Sequence, residues 1–296
     1  MTSRLSMILL LACLTCRPCE AESASIQQFS DQTKDITTSD FWRHVDLKSQ
    51  EIPEEITQKA ADIDVKETSI TIDDVNVFYR EALPKGSSNS HISILLLHGA
   101  AFSSETWLNL GTIQMLAAMG YRTVAIDIPG FGNSRRKRIP ERGEFINDIV
   151  KALNLIRPVV VSPSMSGAFA LPYLLKHSTD MGGYVPVAPG ATSVLERQPC
   201  GSDQSKEMPL DSVCESLKNY FSLPFHDLSC LKTPTMVVFG EYDRGKNSAV
   251  LCLLPRSQGV EIPKGNHPAY LTNPGLWHKL LYNFLHYADQ LAAKTQ

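Results

Sequence analysis

Val159-Val160-Val161-Ser162-Pro163-Ser164-Met165-Ser166-Gly167-Ala168-Phe169-Ala170-Leu171 decides how the rest of the chain is read. The β-branched run reads as a buried strand, and the chain from Gly167 onward reads as the start of a helix. Between them a very short turn holds Ser164 at its centre. A nucleophile on such a strand–turn–helix elbow sits at a strained backbone position. Residues two places away must be small, or their side chains strike the turn, which is why the usual wording is G-x-S-x-G. Here the small residues are Ser162 and Ser166, so the consensus wording is lost while its steric requirement is kept. Ser162 and Ser166 are hydroxyls too, but only Ser164 has small residues on both sides between a strand and a helix. The competing reading is a serine-rich loop that caps the helix through Ser164 or Ser166.

Outward from the elbow, strands and helices alternate, which is the signature of an α/β fold with a mostly parallel sheet and helices on both faces. Upstream, Ser69–Ile72 and Val75–Tyr79 alternate around Asp73-Asp74 and predict an antiparallel pair with a tight turn. Ile92–Leu97 reads as a buried strand, Glu105–Met119 as a helix, Tyr121–Ile126 as a strand and Glu144–Leu155 as a helix. Downstream, strands are expected at Tyr184–Val187, Met236–Phe239 and Val260–Ile262, with an amphipathic helix over Leu276–Leu291. Residues 189–233 break this rhythm with clustered Pro, Gly, Ser and Asp, and predict a small cap inserted between two strands.

The 296 residues are 43% hydrophobic and 20% charged, which suits one soluble domain with a large core. A formal net charge of −3 gives no reason to expect nucleic acid or an acidic membrane as partner. Met1–Ala21 combines an early Arg4, an apolar run over Leu5–Leu14 and a small-residue ending. That run is shorter than the roughly 20 apolar residues of a spanning helix and suits a secretory signal peptide. The alternatives are an N-terminal membrane anchor, the one route to membrane association, or an uncleaved leader on a cytoplasmic protein. Residues 22–66 are polar and predict a largely extended or partly disordered N-terminal extension, with Phe41-Trp42 and Ile52-Pro53 as the pairs that could pack on the body, which leaves the main domain at 67–292. Beyond the leader lie Cys200, Cys214, Cys230 and Cys252, an even number compatible with disulfides or with buried thiols, their connectivity open. No C-x-x-C spacing occurs among them, so no metal site is expected. Arg135-Arg136-Lys137-Arg138 has three readings: a solvated loop, which is the usual fate of such runs, a binder of acidic groups, or a substrate of a secretory protease.

Ligands gather at the carboxyl ends of the strands in open α/β sheets, so the strand ends supply the candidate chemistry. The first buried strand ends in His98-Gly99-Ala100-Ala101, where small residues let backbone N–H groups face a developing oxyanion. Ala100 and Met165, the residue after the candidate nucleophile, are the expected backbone donors. His98 reads as a structural hydrogen-bonding residue. Met236–Phe239 runs into Gly240-Glu241-Tyr242-Asp243, and a carboxylate there would orient a histidine. Asp243 and Glu241 compete, with Asp243 preferred because the glycine turn needs a few residues before the chain faces the site. The last strand leads to Gly265-Asn266-His267-Pro268, the loop where a general base is expected. Ser164, Asp243 and His267 then follow the Ser…Asp…His chain order of α/β-hydrolases. Rate is expected to rise with pH as His267 becomes neutral, a free histidine titrating near about 6.5.

At these residues the chain resembles the α/β-hydrolase domain-containing protein 14 family. The resemblance runs over about residues 70–290. It rests on Phe78-Tyr79-Arg80-Glu81-Ala82, on Leu97-His98-Gly99 with Phe102-Ser103-Ser104, and on Pro129-Gly130-Phe131-Gly132-Asn133-Ser134. It continues in Ser162-Pro163-Ser164-Met165-Ser166-Gly167 and in His267-Pro268-Ala269-Tyr270-Leu271. The N-terminal hydrophobic segment is similar to that of the family's A-type branch. The resemblance implies that Ser164, Asp243 and His267 form a triad acting on small acyl esters, thioesters or acyl-amides. It also implies that coenzyme A is a candidate acyl acceptor, in the manner of protein-lysine deacylation, and that no cofactor is required. The alternative from another class is an inert hydrolase-fold binding protein. The polar leader and the cysteine-bearing cap depart from the family pattern.

Overall fold

Asp73 and Asp74 both adopt left-handed backbone, with φ of 43° and 62°, and so close the two-residue turn expected of them. A computed structural model describes residues 35–86, 89–196, 200, 209–223 and 227–295. Helices α1 (Ser39–His44) and α2 (Glu54–Ala61) precede the hairpin strands β1 (Lys66–Ile72) and β2 (Val75–Ala82). There follow β3 (Ile94–Leu96), α3 (Ser104–Asn109), α4 (Thr112–Ala118), β4 (Thr123–Ile126), α5 (Arg142–Ala152), β5 (Val159–Pro163), α6 (Gly167–His177) and β6 (Gly183–Val187). The last part comprises α7 (Ser193–Glu196), α8 (Ser212–Tyr220), β7 (Thr235–Gly240), α9 (Lys246–Leu251), β8 (Ser257–Ile262), α10 (Ala269–Thr272) and α11 (Pro274–Lys294).

The described strands form one sheet in the order β1-β2-β4-β3-β5-β6-β7-β8. The pairs β1–β2 and β2–β4 are antiparallel, and from β4 to β8 every pair is parallel. This is the α/β-hydrolase architecture. The parallel strands β3 to β7 are buried along their whole length, as a sheet covered on both faces requires. On one face Leu95, Val124, Val160, Tyr184 and Val237 join a core with Ile146 of α5 and Leu171 of α6. On the other, Phe284 of α11 lies against Gly183.

Two expectations change. The helix expected over Glu105–Met119 is broken into α3 and α4 at Gly111, whose φ of 75° no other residue type adopts cheaply. The apolar spacing runs through the break because both halves bury the same side, at Trp107, Ile113 and Leu116. The leader expected to be extended is folded from Asp35 onward, as α1, α2 and their connections. Its few apolar residues are clustered: Phe41, Trp42, Val45 and Leu47 are all buried. Phe41 packs edge-on to Tyr287 at 5.1 Å, and Trp42 packs on Phe284 at 5.7 Å. The side-chain amide of Gln258 on β8 donates to the carbonyls of Arg43 and Val45. The segment therefore covers the sheet's far edge, which is an aggregation hazard when bare. Residues 1–34, where a signal peptide is expected, lie outside the described residues. No helix among the described residues is long and apolar enough to cross a membrane.

The cap residues that are described are tied down covalently. Cys200 is bonded to Cys230, and Cys214 on α8 is bonded to Cys252 after α9. Asp211 caps α8 by accepting from the N–H groups of Val213 and Cys214, each at 3.0 Å, and its other oxygen accepts from Gly259 on β8 at 3.2 Å. Burial pushes the Asp211 carboxyl up, against the pull of those three N–H donors.

His278 of α11 is buried and shares a 2.9 Å hydrogen bond with Thr112 of α4. Desolvation pulls its imidazolium down to about 4. The folded state thus disfavours a proton that the unfolded chain accepts, and stability is lost as pH falls from the free-histidine range toward 4. Replacing His278 by Gln is expected to flatten that acid limb by about 3 kcal/mol in urea melts compared between pH 7 and pH 4. Trp42→Ala, which empties a fully buried site, is expected to lower stability by about 3–5 kcal/mol, read by the same melts.

Candidate active site

Ser164 leaves β5 with φ of 49°, in the left-handed region that a serine occupies only when its surroundings hold it there. Its carbonyl accepts from the N–H of Gly190 at 3.0 Å. A side chain at Gly167 would come within 2.3 Å of the Gly190 carbonyl, so the elbow's first helical residue has to be glycine. The two flanking serines are engaged elsewhere. Ser162 and Ser166 are fully buried, their hydroxyls 3.1 Å apart, and Ser166 donates to the Pro163 carbonyl at 2.7 Å. Ser164 alone points its hydroxyl at a base.

That base arrives from the end of β8. The loops after β7 and β8 touch through glycine, and a side chain on Gly240 would lie 2.3 Å from the Gly265 carbonyl. The N–H of Tyr242 donates to that same carbonyl at 2.9 Å. Glu241, the competing carboxylate, accepts from the N–H of Lys264 at 2.7 Å and so ties the two loops together. Asp243 is left to meet the histidine. His267 Nδ1 lies 2.8 Å from Asp243 Oδ2, and His267 Nε2 lies 2.8 Å from Ser164 Oγ. A carboxylate only accepts, so Nδ1 carries the proton and donates to it. Nε2 then presents its lone pair to the Ser164 hydroxyl. The His267 side chain is 54% exposed, so the relay stands at an open mouth.

The third element is the turn after β3, closed by the N–H of Phe102 donating to the Gly99 carbonyl at 3.0 Å. His98 has no hand in the relay. Its Nε2 accepts from the N–H of Ile128 at 2.9 Å and its Nδ1–H donates to the Gly99 carbonyl at 2.9 Å. Burial pulls its imidazolium down, so it is a neutral strut between the ends of β3 and β4. Ala100 and Phe102 line a cavity of about 190 Å³ together with Val187, Tyr270, Ser164 and His267. Met165, the other expected backbone donor, directly follows Ser164. No cluster of three or more metal-binding side chains occurs among the described residues.

One supporting residue has little signal in the sequence. Asp127, at the end of β4 and fully buried, accepts from the N–H of Ser104 at 2.7 Å and of Asn133 at 2.7 Å. It anchors the helix behind the Gly99–Phe102 turn to the Pro129–Ser134 turn. The only hint is its position at a strand end, because its partners are backbone groups from distant segments. A Cβ at Gly132 would strike the Asp127 carboxylate, so the glycine in that turn exists to admit it.

Comparison with known proteins agrees with this fold. A family model described as serine aminopeptidase, S33 matches residues 88–201. The human protein named "Putative protein-lysine deacylase ABHD14B" is 38% identical over 234 residues, covering 76% of this chain and 98% of that one. Protein ABHD14A of Danio rerio is 34% identical over 227 residues, covering 73% of this chain and 74% of that one. The chain belongs to the ABHD14 family. It is a hydrolase of the α/β type. Solved structures with the same fold include a "predicted CIB-like hydrolase" from Thermoplasma acidophilum, at a TM-score of 0.58 and 22% identity over 75% of this chain and 98% of that one. The carboxylesterase CesB of Bacillus subtilis aligns at a TM-score of 0.55 with 17% identity, over 78% of this chain and 96% of that one.

In this ABHD14 chain the contact between Gly240 and Gly265 sets the spacing of Asp243 and His267. Gly240→Ala is expected to push the loops apart and lower kcat/KM by about 100-fold, the usual effect of a 1 Å misplacement. Circular dichroism would show the fold retained.

Proposed function

We propose that the chain is a serine acyl hydrolase or acyltransferase that acts on small acyl esters, thioesters or acyl-amides. The observation that carries this is the relay itself: Ser164 on a left-handed turn, 2.8 Å from His267, which is in turn 2.8 Å from Asp243. Ser164 Oγ attacks the carbonyl carbon while His267 Nε2 takes its proton, and Asp243 stabilises the imidazolium. The negative charge on the carbonyl oxygen is held by the N–H groups of Ala100 and Met165. The tetrahedral intermediate collapses as His267 returns the proton to the leaving oxygen, sulfur or nitrogen. The acyl group, now an ester on Ser164, passes to water or to a thiol, with His267 again taking the acceptor's proton.

The cavity of about 190 Å³ supports a short acyl chain. It is below the roughly 300–1,000 Å³ of pockets that hold drug-sized ligands. The exposed mouth supports a large leaving group, because a lysine side chain of a folded protein can reach Ser164 without entering a deep channel. Protein-lysine deacylation is the reading that agrees with the name of the ABHD14B relatives. Coenzyme A is the thiol acceptor in that reading, and no metal or resident cofactor takes part. The chain travels the secretory route with Met1–Ala21 as its signal peptide. Support comes from the two disulfides of the cap region, since such bonds persist in oxidising compartments.

Labelling with a fluorophosphonate probe tests the nucleophile. Ser162→Ala and Ser166→Ala are expected to label and Ser164→Ala to stay blank, with kcat of the last reduced by about 10⁶. Wild-type protein that is folded, open to a small ligand and unlabelled would instead be an inert binding module. Asp243→Asn is expected to lower kcat by about 10⁴ through the wrong imidazole tautomer.

A further inference from the structure

Arg135-Arg136-Lys137-Arg138 takes no part in the site or the core, and all four residues are exposed. They lie in an irregular segment between the Pro129–Ser134 turn and α5, outside any helix or strand. Lys137 donates to the Asp73 carbonyl at 2.7 Å, and the Arg136 stem lies beside Gly130. Neither Arg135 nor Arg138 is paired with a carboxylate among the described residues. Four adjacent cations with no carboxylate partner among the described residues repel one another, and the heads of Arg135 and Arg138 stand free to be read by something else. Exposed irregular loops are also where endoproteases cut folded proteins.

What a cut there would do follows from the topology. The strands before position 138 are β1, β2, β4 and β3, which occupy one side of the sheet. Those after it, β5 to β8, occupy the other. Within the sheet the two blocks meet along one seam, where Ile94, Leu95 and Leu96 pair with Val159, Val160 and Val161, and outside it the α1 segment of the first block packs on β8 and α11 of the second. Trp107 stacked on Trp277 and the Thr112–His278 hydrogen bond add contacts across the same division. Both disulfides among the described residues, Cys200–Cys230 and Cys214–Cys252, lie wholly beyond it, so neither would bridge the pieces. The Ala100 turn would belong to one piece, and Ser164, Asp243 and His267 to the other.

We propose that the Arg138–Ile139 bond is a processing site for a secretory endoprotease whose acidic cleft reads Arg138, Lys137 and Arg135, and that the product is a two-chain protein held together by the β3–β5 seam and by the packing of α1 on β8 and α11. Water adds across the peptide bond, leaving a carboxylate on Arg138 and an ammonium group on Ile139. The site rests on the secretory reading given above. It is favoured over an anion-binding surface because the run occupies one narrow irregular loop, and Lys137 has only to leave the Asp73 carbonyl to enter the cleft.

The folded full chain, secreted from cells that lack such proteases, would be treated with a purified endoprotease specific for multibasic sequences. One cut is expected, giving two bands on a denaturing gel without reductant and a new N-terminus reading Ile139-Pro140. The pieces should co-elute as one particle under native conditions. Arg138→Gln should abolish the cut and Arg135→Gln should slow it, with no change in Tm because both side chains are exposed. Folded chain that resists while a peptide spanning 131–144 is cut would overturn the proposal, as would pieces that separate under native conditions. So would natural protein recovered intact from secreting cells, or Arg→Gln variants that lose binding to anionic vesicles while wild type resists the protease. A cut that proceeds normally with no fluorophosphonate on either piece would count against the acyl-hydrolase reading and leave the processing site standing.

Discussion

A serine held in left-handed backbone is the constraint on which the active end of this molecule depends. Such a conformation is disfavoured by about 1–3 kcal/mol and persists only where its surroundings over-determine it. β5 supplies the restraint on one side, paired with β3 and β6 across buried ladders. On the other side the Gly190 N–H holds the Ser164 carbonyl, and Gly167 lets the two segments come within contact. The buried Ser162–Ser166 pair replaces the usual glycines because the hydroxyls bond to each other and to the Pro163 carbonyl. Small size is kept, and the added polar atoms are satisfied where they are buried.

A parallel sheet then does the assembling. Every strand from β4 to β8 runs the same way, so their carboxyl ends open onto one edge of the layer. Residues separated by 103 positions, Ser164 and His267, meet there at 2.8 Å. The supporting contacts are of another kind. Asp127, Glu241 and the ring of His98 each bind backbone N–H groups, so they position loops and leave the reacting atoms to others. The far edge is closed by the segment from Asp35 to Leu47, and the cap is fastened to the body by Cys214–Cys252 and by Asp211.

Legibility differs sharply among these features. The alternation of strands and helices, the hairpin at Asp73-Asp74 and the elbow were readable because each is a local pattern with a local steric cause. Glu241 and Asp243 were not separable with certainty from sequence, since both follow the same glycine and either carboxylate suits a histidine. The contact of Glu241 with the Lys264 N–H is what divides their tasks. The helix break at Gly111 was hidden because the apolar spacing continues across it. The leader was legible only in part: Phe41-Trp42 stood out as a pair that packs on the body, while its helices were hidden because Val45 and Leu47 are diluted by polar neighbours.

By itself the sequence determined the fold class and the strand ends that carry Ser164, Asp243 and His267. These follow from residue size, backbone preference and chain order, which are properties of short segments, whereas the family was legible through the resemblance of whole motifs. Only the tertiary structure decided which cysteines pair, which carboxylate faces the imidazole, that His98 is a neutral strut, and that Asp127 anchors two turns. Each of those is a contact between distant segments, and its partner is a backbone group or a thiol that any sequence supplies in abundance. Proximity in space, which selects one partner among many equivalent ones, is set by the folded chain alone.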